Sequence, residues 1–311
     1  MENNLFRYYA ITTVIIIILI SGSFIFSKQS VSLFATDVLG QTELIQKHKN
    51  TTVASSTILE AINLHEVTTS AGKEGHDFFA ATVRDLSTGR SFYDFNDTKR
   101  WPMASLTKLL TISVMLEQAN PESEISISSS SVASEGVAGD LKSGERYSLW
   151  DLVKASILVS SNDAIMAMAE SQDQENFIQQ LQKKISDLGM TNTTIFDPTG
   201  LSPLNQSTIE DLMALVQYVY THHNSILALS QEKTATITDT VTKRSHILKN
   251  INQFAGEPNF VGGKTGFIDE AGGNLISLFR SPENDHIIAI IVLGSKDRFQ
   301  ATRQLLQKFV L

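Results

Sequence analysis

The sequence predicts an α+β fold, and three observations lead to it. From Phe78 onward, β-rich runs lie at both ends of the chain. Helical patterns fill the stretch between them. The last apolar run, Ile287 to Leu293, lacks the alternation of a half-exposed strand and reads as one covered on both faces. Strands at the two ends of a domain with helices between them meet most simply in one antiparallel sheet packed on a helical layer.

The elements follow in order. Phe78 to Val83 reads as a strand, Ser87-Thr88-Gly89 as a turn and Ser91 to Phe95 as the partner strand. Pro102 stops any earlier element. Leu106 to Leu116 is apolar almost all round, which places that helix in a core. Ser148-Leu149-Trp150-Asp151 reads as a capping box opening a second helix, and Ser207 to Glu210 as another before Leu212, Met213, Val216 and Val219. Phe177, Leu181, Ile185 and Leu188 share one helical face, and Gly189 fits the position after that helix. Asn274 to Phe279 and Ile287 to Leu293 are strands around the turn Ser281 to Asp285, and Phe299 to Phe309 closes with an amphipathic helix.

Ahead of this domain, Tyr8 to Phe26 carries no charge. At about 1.5 Å per residue it reaches roughly 28 Å, close to the thickness of a hydrocarbon core. The run is long for a signal-peptide core and no small-x-small cleavage site follows Phe26, so an uncleaved membrane helix is expected. The expected organisation is a cytoplasmic tip and signal anchor over 1–27, a polar extracytoplasmic spacer over 28–76, and a catalytic domain over 77–311. The net charge is −8 and no basic cluster stands out, which argues against nucleic acid as a partner. With no cysteine there is no disulfide, thiolate metal site or cysteine nucleophile. The seven histidines (His48, His65, His76, His222, His223, His246, His286) fall in no triad or zinc pattern, so structural roles are expected and no metal or cofactor is implied.

Three short strings carry the chemistry. Ser105 and Lys108 stand at i and i+3 at the start of the buried helix, on one face. A serine hydroxyl needs an adjacent base, and a buried lysine with a lowered pKa can supply one. Ser160-Ser161-Asn162 interrupts a helical region, where a Ser and an Asn can both project into a cleft. Lys264-Thr265-Gly266 follows Gly262-Gly263, whose lack of side chains lets an edge strand approach a ligand. Alone, each has an ordinary reading: a serine cap, a helix N-cap, a glycine-rich turn.

Together and in this order, the strings resemble the active site of the penicillin-binding D,D-peptidases and the serine β-lactamases. The resemblance covers roughly Phe78 to Leu311 and implies a five-stranded antiparallel sheet beside a helical cluster, with the site at their junction. It implies Ser105 as the acylated nucleophile, Lys108 as its base, Ser160 as proton relay to the leaving amine, and Asn162 as partner of Lys108 and of the substrate amide. It further implies that Lys264, Thr265 and Gly266 bind substrate and that the backbone N–H groups of Ser105 and Phe267 form an oxyanion hole. Pro102 to Lys108, Asp197-Pro198-Thr199-Gly200-Leu201, and Ala271-Gly272-Gly273-Asn274-Leu275 fit the D-alanyl-D-alanine carboxypeptidases in particular, without an assigned catalytic role for the last two.

The function this implies is removal of the terminal D-alanine from peptidoglycan stem peptides, with β-lactams as inhibitors and the membrane as an attachment through Tyr8 to Phe26. A β-lactamase would use the same nucleophile, but no Glu-x-x-Leu-Asn string occurs, and Pro203-Leu204-Asn205 lacks the glutamate. The three strings are equally compatible with a D,D-endopeptidase or transpeptidase acting on cross-links, and with a catalytically idle wall-binding protein on the same fold. No arginine for the substrate carboxylate can be placed, since Asn250-Ile251-Asn252 occupies the segment where some relatives carry one.

Overall fold

The computed structural model of the chain describes residues 76–311, except 134, 135, 137 and 173. The expected anchor, Tyr8 to Phe26, and all of the spacer but His76 lie outside the described residues. Among the described residues, no helix is long and apolar enough to cross a membrane.

Strand β1 (Ala80–Asp85) turns back into β2 (Ser91–Phe95). The turn closes on Asp85, whose carboxylate accepts from the Ser87 and Thr88 N–H groups at 2.7 and 3.1 Å. A two-residue strand β3 (Trp101–Pro102) leads through a 3₁₀ turn (Ala104–Leu106) into helix α1 (Thr107–Gln118). Next come β4 (Glu124–Ser126) paired with β5 (Arg146–Ser148), then α2 (Leu149–Leu158), α3 (Asn162–Glu170) and α4 (Gln174–Asp187). Strand β6 (Gln206–Ser207), helices α5 (Ile209–His222) and α6 (Asn224–Gln231), and the hairpin of β7 (Thr234–Thr238) and β8 (Ser245–Lys249) complete the middle of the chain. The C-terminal part holds β9 (Phe260–Ile268), β10 (Gly272–Arg280), β11 (Ile287–Ser295) and α7 (Arg298–Phe309).

The main sheet has five antiparallel strands in the order β2-β1-β11-β10-β9, so the terminal strands do meet in one sheet. Burial on both faces explains the uniform apolarity of β11. Ile287, Ala289, Ile291 and Leu293 join the core that the sheet shares with the helical layer. Ile288, Ile290 and Val292 join a second core on the opposite face, where Phe299, Leu305 and Leu306 of α7 cover the sheet together with Phe254, Phe260 and Phe279. Helix α1 is buried nearly all round from Thr107 to Met115. Each fully buried leucine or isoleucine there contributes about 1.5–3 kcal/mol. Its buried hydroxyls are paired: Thr111 Oγ1 donates to the Pro198 carbonyl and Ser113 Oγ to the Leu109 carbonyl, both at 2.7 Å.

Two local expectations are corrected, and a third is refined. The capping residue of α5 is Thr208, whose Oγ1 accepts from the Asp211 N–H at 3.2 Å. Ser207 is held instead in the short ladder with Trp101, which moves the cap one residue along. Pro102 is the last residue of β3, as expected of a stop, but it also takes part in the ladder, opposite Gln206. Ser105 lies in the 3₁₀ turn, ahead of the α-helix proper. The other box is observed by its first half, with Ser148 Oγ accepting from the Asp151 N–H at 3.1 Å, while the Asp151 carboxylate accepts from Lys154 and from the Thr238 N–H.

Candidate active site

The segment carrying Ser105 is tied to the sheet by the string around Asn274. Asn274 Nδ2 donates to the carbonyls of Pro102 and Met103 at 2.8 and 3.1 Å, and its Oδ1 accepts from the Gly294 N–H at 2.9 Å. Trp101 Nε1 donates to the Ala271 carbonyl at 2.8 Å. Ala104, just before Ser105, has φ +50°, a left-handed conformation that costs a residue with a Cβ on the order of 1 kcal/mol or more. Gly200 explains how that bend is backed: at φ +88° it packs so tightly that a Cβ there would lie 1.9 Å from the Ala104 carbonyl oxygen.

One turn beyond Ser105, Lys108 is 0 % exposed. Its Nζ donates to Ser105 Oγ at 2.7 Å, Asn162 Oδ1 at 2.7 Å and the Thr199 carbonyl at 2.8 Å. The last two are carbonyl oxygens and can only accept. Once Lys108 is a neutral amine, its two N–H bonds go to them. The lone pair is then left facing Ser105 Oγ, whose hydroxyl becomes the donor. Burial lowers the Lys108 pKa to about 7, against the opposing pull of the Asp197 carboxylate. A lysine in that range can take a proton near neutral pH.

The reversal between α2 and α3 places the second string. Ser160 takes a left-handed φ of +59° and Ser161 caps α3, its Oγ accepting from the Ala164 N–H at 3.2 Å. Asn162, the first residue of α3, is thereby turned toward Lys108. Ser160 faces the third string: Lys264 Nζ donates to Ser160 Oγ at 2.9 Å and to the Thr265 carbonyl at 2.8 Å.

Lys264 and Thr265 are buried on β9, the edge strand of the sheet. Burial first, then the neighbouring Lys108 and Arg298 cations, hold the Lys264 pKa well below its ordinary value. An arriving carboxylate reverses that pressure by favouring the charged ammonium. Gly266 lets β9 lie against the nucleophile segment, since a Cβ there would sit 3.0 Å from the Met103 carbonyl oxygen and 3.3 Å from Ala104 Cβ. Phe267, the next residue, leaves its ring exposed.

All eight candidate residues are thus placed at one junction of sheet and helices. Two groups of the site escape a reading of the sequence. The Thr199 carbonyl is invisible as a chemical group because a backbone oxygen carries no sequence signature, even within a distinctive string. The second is an arginine outside the three strings, Arg298 at the start of α7, which stands beside Gly266. Its Nη1 donates to the Gly266 carbonyl at 2.8 Å, and its buried Nε has no hydrogen-bond partner. Burial lowers its pKa. The usable signal is Asp297, which caps α7 by accepting from the Phe299 and Gln300 N–H groups at 3.1 and 3.0 Å, and so fixes Arg298 at the helix start beside β9. Asn250 to Asn252 instead brace the rear of α2, with the Ile251 N–H donating to the Leu158 carbonyl at 3.0 Å.

The family model described as D-alanyl-D-alanine carboxypeptidase matches residues 67–297. The chain belongs to this family of serine peptidases. Family members in several bacteria are similar to it. A D-alanyl-D-alanine endopeptidase of Pseudomonas aeruginosa is 31 % identical over 240 residues, which cover 72 % of this chain and 74 % of the relative. The D-alanyl-D-alanine carboxypeptidase DacF of Bacillus subtilis is 28 % identical over 204 residues, or 63 % of this chain. The matched stretch spans about half, 52 %, of the Bacillus protein's length. Among solved structures, a Listeria monocytogenes penicillin-binding protein in its ampicillin-bound form superposes with a TM-score of 0.63 at 25 % identity, covering 74 % of this chain and 96 % of that one. A Mycobacterium tuberculosis D-alanyl-D-alanine carboxypeptidase shares the fold with a TM-score of 0.67 at 21 % identity, covering 73 % and 89 % of the two chains. The penicillin-binding-protein fold expected from the three strings is therefore the fold observed.

Proposed function

We propose that this member of the family is a serine D,D-carboxypeptidase that removes the terminal D-alanine from peptidoglycan stem peptides through an acyl-enzyme on Ser105. The observation that carries the reading is the triple coordination of Lys108, which leaves its lone pair no direction but Ser105 Oγ. Ser105 Oγ attacks the carbonyl between the two D-alanines as its proton passes to Lys108. When the tetrahedral centre collapses, the C–N bond breaks and Ser160 donates its hydroxyl proton to the leaving amine. Ser160 can do so because its oxygen already accepts from Lys264, which resupplies the proton. Water then attacks the ester and gives up a proton to the Ser160–Lys264 pair, which replaces the one lost to the amine; the acyl–oxygen bond breaks, and Ser105 recovers its proton from Lys108. Lys264, Thr265 and Arg298 receive the terminal carboxylate. The domain acts outside the membrane, held by Tyr8 to Phe26.

β-Lactams are expected to acylate Ser105 and stay attached. Incubation of the purified chain with benzylpenicillin, followed by intact mass over time, tests this. A persistent one-to-one adduct on Ser105, lost in Ser105→Ala together with D-alanine release, is the expected result. Rapid drug turnover would make the chain a β-lactamase, and no adduct on a folded chain would leave a wall-binding protein. A second reading, D,D-endopeptidase, is favoured by relatives of that name at 31 % and 30 % identity. Product analysis on cross-linked muropeptides separates it from the carboxypeptidase.

A further inference from the structure

The string Asp197 to Leu201 supplies no group to the bond-making and bond-breaking steps, yet its polar groups are densely engaged. Asp197 Oδ1 accepts from the Thr199 N–H and Oγ1 at 2.8 and 2.5 Å, from the Gly200 N–H at 2.8 Å and from the Leu201 N–H at 3.3 Å. Its Oδ2 accepts from the Ser202 N–H at 2.8 Å. One carboxylate thus gathers consecutive backbone donors into an anion-binding turn.

The same turn directs its carbonyls the other way, at the helix bearing the base. Asn205 Nδ2 reaches the Asp197 carbonyl at 2.8 Å, Thr111 Oγ1 of α1 reaches the Pro198 carbonyl at 2.7 Å, and Lys108 Nζ reaches the Thr199 carbonyl at 2.8 Å. Donors are gathered on the carboxylate and acceptors are presented to α1.

We propose that Asp197 is a positioning residue for Lys108: its carboxylate folds the turn that holds the Thr199 carbonyl against the Lys108 amine, and it places a negative charge behind that amine. The proposal rests on the reading of Lys108 as the base for Ser105. Geometry gives the first half, because without the Thr199 acceptor the neutral amine has one fixed N–H instead of two and its lone pair can rotate away from Ser105. Charge gives the second. Asp197 is the anion that raises the Lys108 pKa against burial. On the other side of Lys108 is the neighbouring Lys264 of β9, itself next to Arg298 of α7, and both have pKa values lowered by burial. Asp163, at the start of α3, has its carboxyl pushed up by burial, so it is a weaker source of negative charge.

The test is Asp197→Asn, with Asp197→Ser as a second neutral cap and Asp197→Glu as the charge-retaining control, in the full chain. Two readouts are taken: NMR titration of the Lys108 side chain in chains labelled at lysine Cε, assigned with Lys108→Arg, and the pH dependence of Ser105 acylation by benzylpenicillin. Removing the anion favours the neutral amine. Both neutral variants should therefore move the Lys108 titration to lower pH, on the order of one unit, and carry the acid limb of acylation with it. Their plateau rate at high pH should fall about tenfold or more, the cost of a misdirected lone pair. Glu should keep the titration near its original position. An unmoved Lys108 titration in folded Asn or Ser variants overturns the proposal, as does a uniform loss of rate with an unchanged limb, which is what a purely structural turn would give. If the wild type is never acylated, the carboxypeptidase reading fails, and the NMR titration still decides the role of Asp197. If the Asn variant does not fold, Ser against Glu makes the same comparison.

Discussion

Lys264 Nζ donates to Ser160 Oγ across 2.9 Å, and this contact joins the two halves of the site. On one side, Lys108 is hydrogen-bonded to Ser105, the proposed nucleophile. On the other, a second lysine donates to Ser160, the proposed proton relay. A single lysine could not do both, because its hydrogen bonds to Asn162 and the Thr199 carbonyl fix Lys108 toward the nucleophile.

Ser160→Ala removes the proton donor and leaves Lys108 undisturbed. Peptide turnover should fall by about 10²–10⁴, the usual worth of a positioned general acid. The loss should lie in kcat, with KM little changed, because the proposed mechanism sets Ser160 against the leaving amine and not the carboxylate. Steady-state D-alanine release from a pentapeptide measures both. A variant within threefold of wild type would remove Ser160 from the relay.

The buried charge of Lys108 predicts a stability effect with a definite sign. In the unfolded chain this lysine keeps its proton to about 10.5, while in the folded chain it loses it near 7. Between those values the unfolded state binds more protons, so stability rises with pH across that window. Below about pH 7 both states are protonated, and the folded one bears the whole cost of the buried cation, on the order of 5 kcal/mol. Lys108→Met removes that cost and also removes the hydrogen bonds that the amine gives to Asn162 Oδ1 and the Thr199 carbonyl. It should therefore be more stable than wild type at pH 6 and less stable at pH 10, where the neutral amine satisfies both oxygens. Denaturant unfolding at the two pH values checks the crossing, and a pH-independent difference would assign the titration elsewhere.

Gly200→Ala tests the contact behind the nucleophile. At φ +88° an alanine is strained by about 1–2 kcal/mol, and its Cβ would overlap the Ala104 carbonyl oxygen at 1.9 Å. Because both atoms are backbone-fixed, either the turn or Ala104 must move. Several kcal/mol of stability and at least a tenfold loss of acylation are expected together, read by thermal unfolding and by penicillin adduct formation. Stability lost with full acylation would show that the Ala104 bend does not position Ser105.

The sequence and the structure agree where local pattern and tertiary burial point the same way. Strand β2 has the ends its pattern predicts, and β11 is recognisable because its unbroken apolar run needs cover on both faces. The three strings of the candidate site are legible because each is chemically distinctive and their order is informative. The two-stranded ladders of β3–β6, β4–β5 and β7–β8 are not legible, since two to five residues carry too little periodicity to tell a strand from a loop. The Thr208 cap is displaced by one residue from its expected place because Ser207 and Thr208 offer equivalent hydroxyls, and only the ladder with Trp101 decides between them. Arg298 is hidden for a different reason. It joins the site through α7, which packs on the far face of the sheet, and contacts Gly266 across 32 positions of sequence.

Arg298 is the member of the site whose role is most sharply testable by substrate chemistry. Its guanidinium is partly committed: Nη1 is bound to the Gly266 carbonyl and Nε is buried without a partner. A buried donor left unpaired costs about 1–3 kcal/mol, and an incoming carboxylate beside β9 would relieve it. Arg298→Gln should therefore raise KM for a stem peptide with a free C-terminal carboxylate by about tenfold or more, the worth of a charge-assisted hydrogen bond. The same peptide with its C-terminus amidated should bind poorly to both forms and show little further loss. The interaction is with the substrate's charge, so added salt should weaken binding by wild type more than by the variant. Equal losses on the two peptides would mean that Arg298 acts by holding Gly266 in place and not by meeting the carboxylate.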